Sequence, residues 1–277
     1  MAAGVASRGA LSPRPALVKQ RSFYSKRSLV LSALLLLAPC GIMYRQCCVL
    51  RDAVAACLTF HAFLGVAMGY EFRCLLRALT PQSAAKNQNG LRAGVGMWLF
   101  GMVVYLLCRA GSKPNEYLGV DVPALRATLD DFGVRRPAPM ILFAAYFSVC
   151  NAALEELFWR QCIPQRLRRD FGFDAAEAAP RGRLPKFSHA DACCSVAYSA
   201  YHSVIISLLM PNWFNVGVAF PFLAAFGHTL ACVRDDPKLG LRTAVALHVG
   251  LDLASTFWIL DLRFGWLDAL FAQGLAA

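Results

Sequence analysis

The chain has 277 residues, is 57% hydrophobic and only 16% charged, and carries a net charge of +11. A soluble domain has about a quarter of its residues charged, so this composition excludes an ordinary soluble core and points to an all-α, polytopic membrane protein. The positive charge does not point to nucleic acid. Basic residues sit in loops beside apolar runs, where they set topology and meet anionic head groups. No basic–aromatic interleaving or zinc-knuckle pattern accompanies them.

Residues 1–27 hold Arg8, Arg14, Lys19, Arg21, Lys26 and Arg27, several serines and no acid. This pattern fits a basic cytosolic tail, and it also fits an organelle transit peptide. The apolar run that starts at Ser28 favours the tail. Apolar runs predict about seven spans, at 28–44, 53–70, 94–109, 138–159, 191–211, 214–232 and 243–260. The stretch 80–92 reads as a polar loop, 112–137 as a longer one with an amphipathic turn or two, and 164–191 as a proline-bearing basic loop. Lys and Arg are denser in the N-terminal tail and the even-numbered loops, which places the N-terminus in the cytosol. The 11 cysteines include no CxxC pair and lie mostly inside apolar runs, where cysteine packs as a small hydrophobe. Cys47 and Cys48, near a boundary, are candidates for palmitoylation.

Ionisable residues inside spans carry the functional signal. A charge at the bilayer centre costs roughly 2.5–3.5 kcal/mol, so each such residue needs a partner or a purpose. The stretch NAALEELFWR (151–160) holds Glu155, Glu156 and Arg160. Glu156 and Arg160 are spaced i, i+4 with the acid first, the better order for a helical ion pair. Glu155 points about 100° away and has no partner on its own helix. Tyr198 and His202 in YSAYH, and His248 and Asp252 in HVGLD, each share one helix face. Glu155, His202 and His248 are therefore expected to meet in the cytosolic half of the bilayer. A carboxylate in a partly wet cavity can take a proton from water, and neighbouring donors can stabilise an oxyanion. The same side chains can ligate zinc, although the HExxH signature is absent. His61 and His228 read as helix packing, and His189 receives no role.

In order, EELFWR (155–160), YSAYH (198–202) and HVGLD (248–252) resemble the EExxxR, FxxxH and HxxxN/D motifs of the CAAX prenyl protease type II and bacteriocin-processing family of glutamate-dependent intramembrane proteases. The resemblance covers roughly residues 138–260 and implies that they form a four-helix catalytic core. The preceding 28–137 would then be accessory helices, with 261–277 a C-terminal tail. The resemblance further implies Glu155 as general base. His202 and His248 would position water or the oxyanion, Asp252 would stand where an oxyanion-binding Asn often stands, and Glu156, Arg160 and Tyr198 would support the site, with no cofactor. Tyr198 replaces the family's usual Phe, and Ser203 and Val204 follow His202 where eukaryotic prenyl proteases carry further histidines.

The implied activity is hydrolysis of a peptide bond in a membrane-anchored substrate, foremost the removal of the last three residues of a prenylated protein. Membrane lipid and prenylated proteins are the implied partners. The implied location is the endoplasmic reticulum membrane, or an organelle membrane if residues 1–27 are a transit peptide. Two other readings stay open: a non-catalytic scaffold or immunity-type protein of the same fold, and a proton-coupled transporter that uses the Glu/His cluster as a relay.

Overall fold

The computed structural model describes residues 26–70, 84–113, 115–171, 173 and 188–268. Residues 1–25, 71–83, most of the stretch expected as a basic loop (174–187) and residues 269–277 lie outside the described residues. α1 (Lys26–Met43) runs on as a π-helical stretch, Tyr44–Leu50. Arg51, in the left-handed region with φ 53°, turns the chain into α2 (Ala53–Tyr70). α3 (Ala84–Ala110) is followed by a two-stranded antiparallel hairpin of β1 (Glu116–Tyr117) and β2 (Val120–Asp121). α4 (Val122–Asp131) is capped by Asp121, whose side chain accepts from the Ala124 N–H at 2.8 Å. α5 (Pro137–Glu155) passes through a π-helical stretch, Glu156–Cys162, into α6 (Ile163–Phe171). α7 (His189–Leu209), α8 (Trp213–Asp235) and α9 (Leu241–Phe264) complete the bundle.

Six helical segments among the described residues are long and apolar enough to cross a membrane, and Ala53–Gly69 is a shorter apolar helix. The chain is therefore an integral, multi-pass, all-α membrane protein. Its surface is inverted relative to a soluble domain. Leu37, Val66, Leu107, Leu142 and Trp213 are exposed, whereas Glu155, Glu156, Arg160 and His248 are buried. In lipid this is the favourable arrangement, because polar groups must find partners inside the protein.

Three boundaries differ most from the sequence expectation, the first being the span expected to end at 44, which stays helical to Leu50. Residues 84–92, expected as loop, form the start of α3. Gly90 there is buried and packs on the backbone of Thr243 in α9, so tertiary packing recruits a polar stretch into the helix. The span expected to stop at 159 stays helical to Phe171. Pro164 has no N–H to offer the carbonyl of Arg160, and the Arg234 guanidinium from α8 donates to that carbonyl instead.

Polar contacts tie both ends of the bundle. At the end where α1 starts and α6 finishes, Ser32 donates to Asp170 at 2.9 Å and accepts from Arg166 at 2.9 Å. Nearby, Asp191 of α7 pairs with Arg168 of α6 at 2.6 Å and with Arg234 of α8 at 3.1 Å. At the opposite end Arg51 pairs with Asp131 at 3.0 Å, and Arg263 meets Asp130. Asp268, just beyond α9, accepts from Arg109 and Arg126 at 2.7 Å each.

The closest helix seam joins α3 to α9. A Cβ on Gly94 would lie 2.7 Å from the Ala246 carbonyl oxygen, and one on Gly101 would lie 2.6 Å from the Ala254 Cβ. A Cβ on Gly250 would strike the Gly94 backbone. Ala246, Gly250 and Ala254 repeat every four residues along α9, the small-residue spacing that lets membrane helices approach closely. Gly250 lies between His248 and Asp252 in sequence, so the seam also sets the height and rotation of those two side chains.

Gly250→Val should force α9 away from α3 and cost roughly 1–3 kcal/mol, read as a lower melting temperature in detergent with a thiol-reactive dye. Partial burial pushes the Asp268 carboxyl up, but the hydrogen bonds and charges of Arg126 and Arg109 outweigh it and hold the carboxyl below the ordinary range. Its contribution is therefore complete above the unfolded value of about 3.9 and is lost as pH falls through the lower folded value. Asp268→Asn should lower stability at pH 7 by roughly 0.2–1 kcal/mol, and the deficit should vanish in melts run at progressively more acidic pH.

Candidate functional site

The buried polar cluster is built from α5 and its π-helical continuation, α7 and α9. Glu155 and Glu156 have no exposed surface, His248 has none, and Asp252 is 8% exposed. Glu156 lies in the π-helical stretch with Arg160, and the two side chains approach to 3.4 Å. The i, i+4 ion pair expected from the sequence is present. Glu156 has a second and closer partner, however: its Oε1 accepts from His248 Nδ1 at 2.8 Å. Arg160 lies over the Tyr198 ring, 4.5 Å from its centroid. Gly227 of α8 leaves room for this guanidinium, since a Cβ there would sit 3.2 Å from Arg160 Nη2.

With Nδ1 bound to Glu156, the other ring nitrogen of His248 faces the rest of the site. Nε2 stands 3.7 Å from Glu155 Oε2, 3.6 Å from Asp252 Oδ1 and 3.3 Å from the Tyr198 hydroxyl. Glu155 is held at its other oxygen, where the Tyr201 hydroxyl donates to Oε1. Its Oε2 makes no hydrogen bond to any described residue. Glu155 thus has one oxygen anchored and one directed at His248 without hydrogen-bond contact.

Glu155, Glu156, His248, Asp252, Arg160 and Tyr198 come together as expected, but His202 meets Glu155 only indirectly. His202 Nδ1 bonds the Tyr198 carbonyl of its own helix at 2.9 Å, and Nε2 lies 3.2 Å from the Tyr201 hydroxyl. That hydroxyl has a single proton and two neighbours, Glu155 and His202, so Tyr201 connects them.

Three residues of this network were not assigned to the site from the sequence. Tyr201 is one; its neighbour His202 drew attention only to the face of Tyr198. Asn151 is another, and the i, i+4 spacing from Asn151 to Glu155 was available as a signal. Asn151 Nδ2 donates to Asp252 Oδ2 at 3.2 Å. His61, read as packing, is the third: its Nε2 lies 3.3 Å from Asn151 Oδ1. No local pattern reveals it, because it comes from α2. His228 is half-buried in α8 and His189 is exposed.

Beside this cluster lies a cavity of about 190 Å³ with an almost wholly apolar lining. Cys57, Phe147 and Thr256 contribute to its wall. Each lies one helical turn from a residue of the network, namely His61, Asn151 and Asp252. The cavity and the polar cluster thus share α2, α5 and α9, with the cavity extending toward Leu129 of α4. Among the described residues, no group of three His, Cys, Asp or Glu is arranged to hold a metal ion. The chain matches no protein-family model, no curated protein and no solved structure.

Arg160 supplies a buried counter-charge for Glu156, 3.4 Å away. Arg160→Met should leave a buried carboxylate short of its cation and cost roughly 3–5 kcal/mol. Adding Glu156→Gln should recover part of that loss, which a double-mutant cycle of melting temperatures in detergent would measure.

Proposed function

We propose that the chain is an intramembrane endopeptidase of the CAAX prenyl protease type II and bacteriocin-processing kind, acting on a peptide bond of a lipid-anchored protein. The observation that carries this reading is the placement of His248 between carboxylates, with Nδ1 on Glu156 at 2.8 Å and Nε2 facing Glu155 at 3.7 Å and Asp252 at 3.6 Å.

In this reading a water molecule enters beside Glu155 Oε2, the oxygen without a protein hydrogen bond. Glu155 takes one proton as the water oxygen bonds to the substrate carbonyl carbon. The carbonyl electron pair moves onto oxygen, and His248 Nε2–H donates to that oxyanion. When the C–N bond breaks, the proton held by Glu155 passes to the leaving nitrogen. Glu156 fixes the His248 ring through Nδ1, and Arg160 balances the Glu156 charge. Tyr201 fixes Glu155 Oε1, so that Oε2 keeps its direction. Asp252 stands beside His248 where the family resemblance implies an oxyanion-binding group, and His202 acts through Tyr201.

The apolar cavity beside the site supports a substrate with a long hydrocarbon group. A prenyl chain held there would bring the adjacent peptide toward the polar cluster, in keeping with the CAAX-type release of the last three residues that the family resemblance implies. The Lys/Arg distribution favours a site in the half of the bilayer facing the cytosol, which would fit an endoplasmic reticulum membrane. A transit role for residues 1–27 would instead go with an organelle membrane and unprenylated substrates.

The test uses purified protein in lipid with a farnesylated C-terminal peptide. Wild type should release the terminal tripeptide. Glu155→Ala should lower kcat/KM by roughly 10²–10⁴-fold. Glu156→Ala should also impair turnover, because His248 loses its orienting partner, and Glu156→Gln should retain more activity than Glu156→Ala. An arm with chelator and added zinc reports on metal. Absence of cleavage by wild type would leave the scaffold or transporter reading in its place, and full activity in Glu155→Ala would overturn the mechanism.

A further inference from the structure

The hydrogen bonds on the far side of Asp252 extend beyond the four helices assigned to catalysis. The Tyr146 hydroxyl lies 2.9 Å from His61 Nδ1, His61 Nε2 lies 3.3 Å from Asn151 Oδ1, and Asn151 Nδ2 lies 3.2 Å from Asp252 Oδ2. Asn151 and His61 are buried, at 1% and 7% exposure, and both are surrounded by apolar helices. Buried polar side chains of this kind persist only when their partners are matched donor to acceptor.

The donors and acceptors along this chain run in one direction. A carboxylate accepts hydrogen bonds and donates none. Asn151 therefore turns its NH2 group to Asp252, and its oxygen is left facing His61. An amide oxygen needs a donor, so His61 carries its proton on Nε2. No carboxylate among the described residues lies within ion-pair distance of the His61 ring. With one proton on the ring, Nδ1 is an acceptor, and the Tyr146 hydroxyl donates to it. Cys57 Sγ lies 3.7 Å from both ring nitrogens and flanks the ring on the cavity side.

We propose that His61 and Asn151 are positioning residues for the Asp252–His248 pair, acting through a one-way hydrogen-bond chain from Tyr146 to Asp252. The inference rests on the hydrolytic reading of the site. Asp252 has two oxygens and one rotatable approach to His248. Asn151 occupies Oδ2, which leaves Oδ1 to face His248 Nε2 at 3.6 Å. Without Asn151 the carboxyl is free to rotate, and it can take the position that water or the substrate carbonyl needs. His61 in turn opposes a flip of the Asn151 amide, because the flipped amide would set its NH2 against the His61 Nε2–H, donor against donor. α2 thereby contributes to the site without touching substrate.

Two measurements test this. The first needs no activity: solid-state nitrogen NMR of histidine-labelled protein in lipid, with the His61 signals identified by their loss in His61→Gln. The expected spectrum has a protonated Nε2 and a bare Nδ1, and Asn151→Leu shifts the Nε2 signal. A His61 ring protonated on Nδ1 with a bare Nε2 would overturn the chain.

The second is the peptide assay. His61→Leu and Asn151→Leu should each lower kcat by roughly 10–100-fold, the size expected for misplacing a reacting group, with KM nearly unchanged. His61→Gln, whose amide N–H can stand in for Nε2–H, should recover most of that loss. Equal losses in the Leu and Gln variants, in step with their loss of folded protein, would assign His61 to packing and end the proposal. A wild type that cleaves nothing would instead remove the hydrolytic reading, and the NMR result would still decide whether the chain exists.

Discussion

The structure is organised around one electrostatic constraint: two adjacent carboxylates are held inside a bundle whose surroundings are lipid. Neither Glu155 nor Glu156 has any exposed surface. Burying a charge without a partner costs several kcal/mol, so the neighbouring helices are placed to answer it. Glu156 is answered by Arg160 from the next turn and by His248 from α9. Arg160 then needs a flat ring beneath it and space beside it, which Tyr198 of α7 and Gly227 of α8 provide. Its backbone carbonyl, left open by Pro164, is taken by Arg234 of α8. One buried acid and its partners thus link α5, α7, α8 and α9.

Glu155 is held in a different way. It receives one hydrogen bond, from Tyr201, and its second oxygen faces His248 across 3.7 Å. A carboxylate that only balances charge would be saturated with donors, as Asp191 is by Arg168 and Arg234. Glu156 Oε2 also makes no hydrogen bond among the described residues, but it has the Arg160 guanidinium 3.4 Å away, whereas Glu155 Oε2 faces only His248; that difference separates a frame from a working face. The frame is rigid because α9 is packed against α3 through Gly94 and Gly250, leaving no side chain to act as a spacer between the backbones. The apolar cavity has wall residues one helical turn from His61, Asn151 and Asp252, on the Asp252 side of the network.

Most of the fold was legible in the sequence because lipid imposes a simple rule: apolar runs become helices. The errors in boundary came where packing overrode that rule. Residues 84–92 look like loop by composition, yet glycine at position 90 lets them pack on α9 as helix. The run after residue 159 looks like the start of a basic loop, yet Arg166 and Asp170 find each other and Ser32, and the helix continues. Within the site, the Glu156–Arg160 and His248–Asp252 pairs were visible because helical spacing puts them on one face. Asn151 was equally visible at four residues before Glu155. Tyr201 was not, since its role depends on how α7 is rotated against α5.

The sequence by itself determined the solvent of this protein, its helical class and the residues that must be partnered, because hydropathy and the 3.6-residue period are local properties of the chain. It also separated Glu156, with a partner one turn away, from Glu155, with none. Only the tertiary structure decided which partners from other helices were chosen. His248 turned one nitrogen to Glu156 and the other to Glu155. Tyr201 came between Glu155 and His202, and His61 joined from outside the motif-bearing helices. Those choices depend on the rotation and height of each helix, which are set by the sum of its contacts with its neighbours, such as the glycine seam of α3 and α9, and not by any short stretch of the chain.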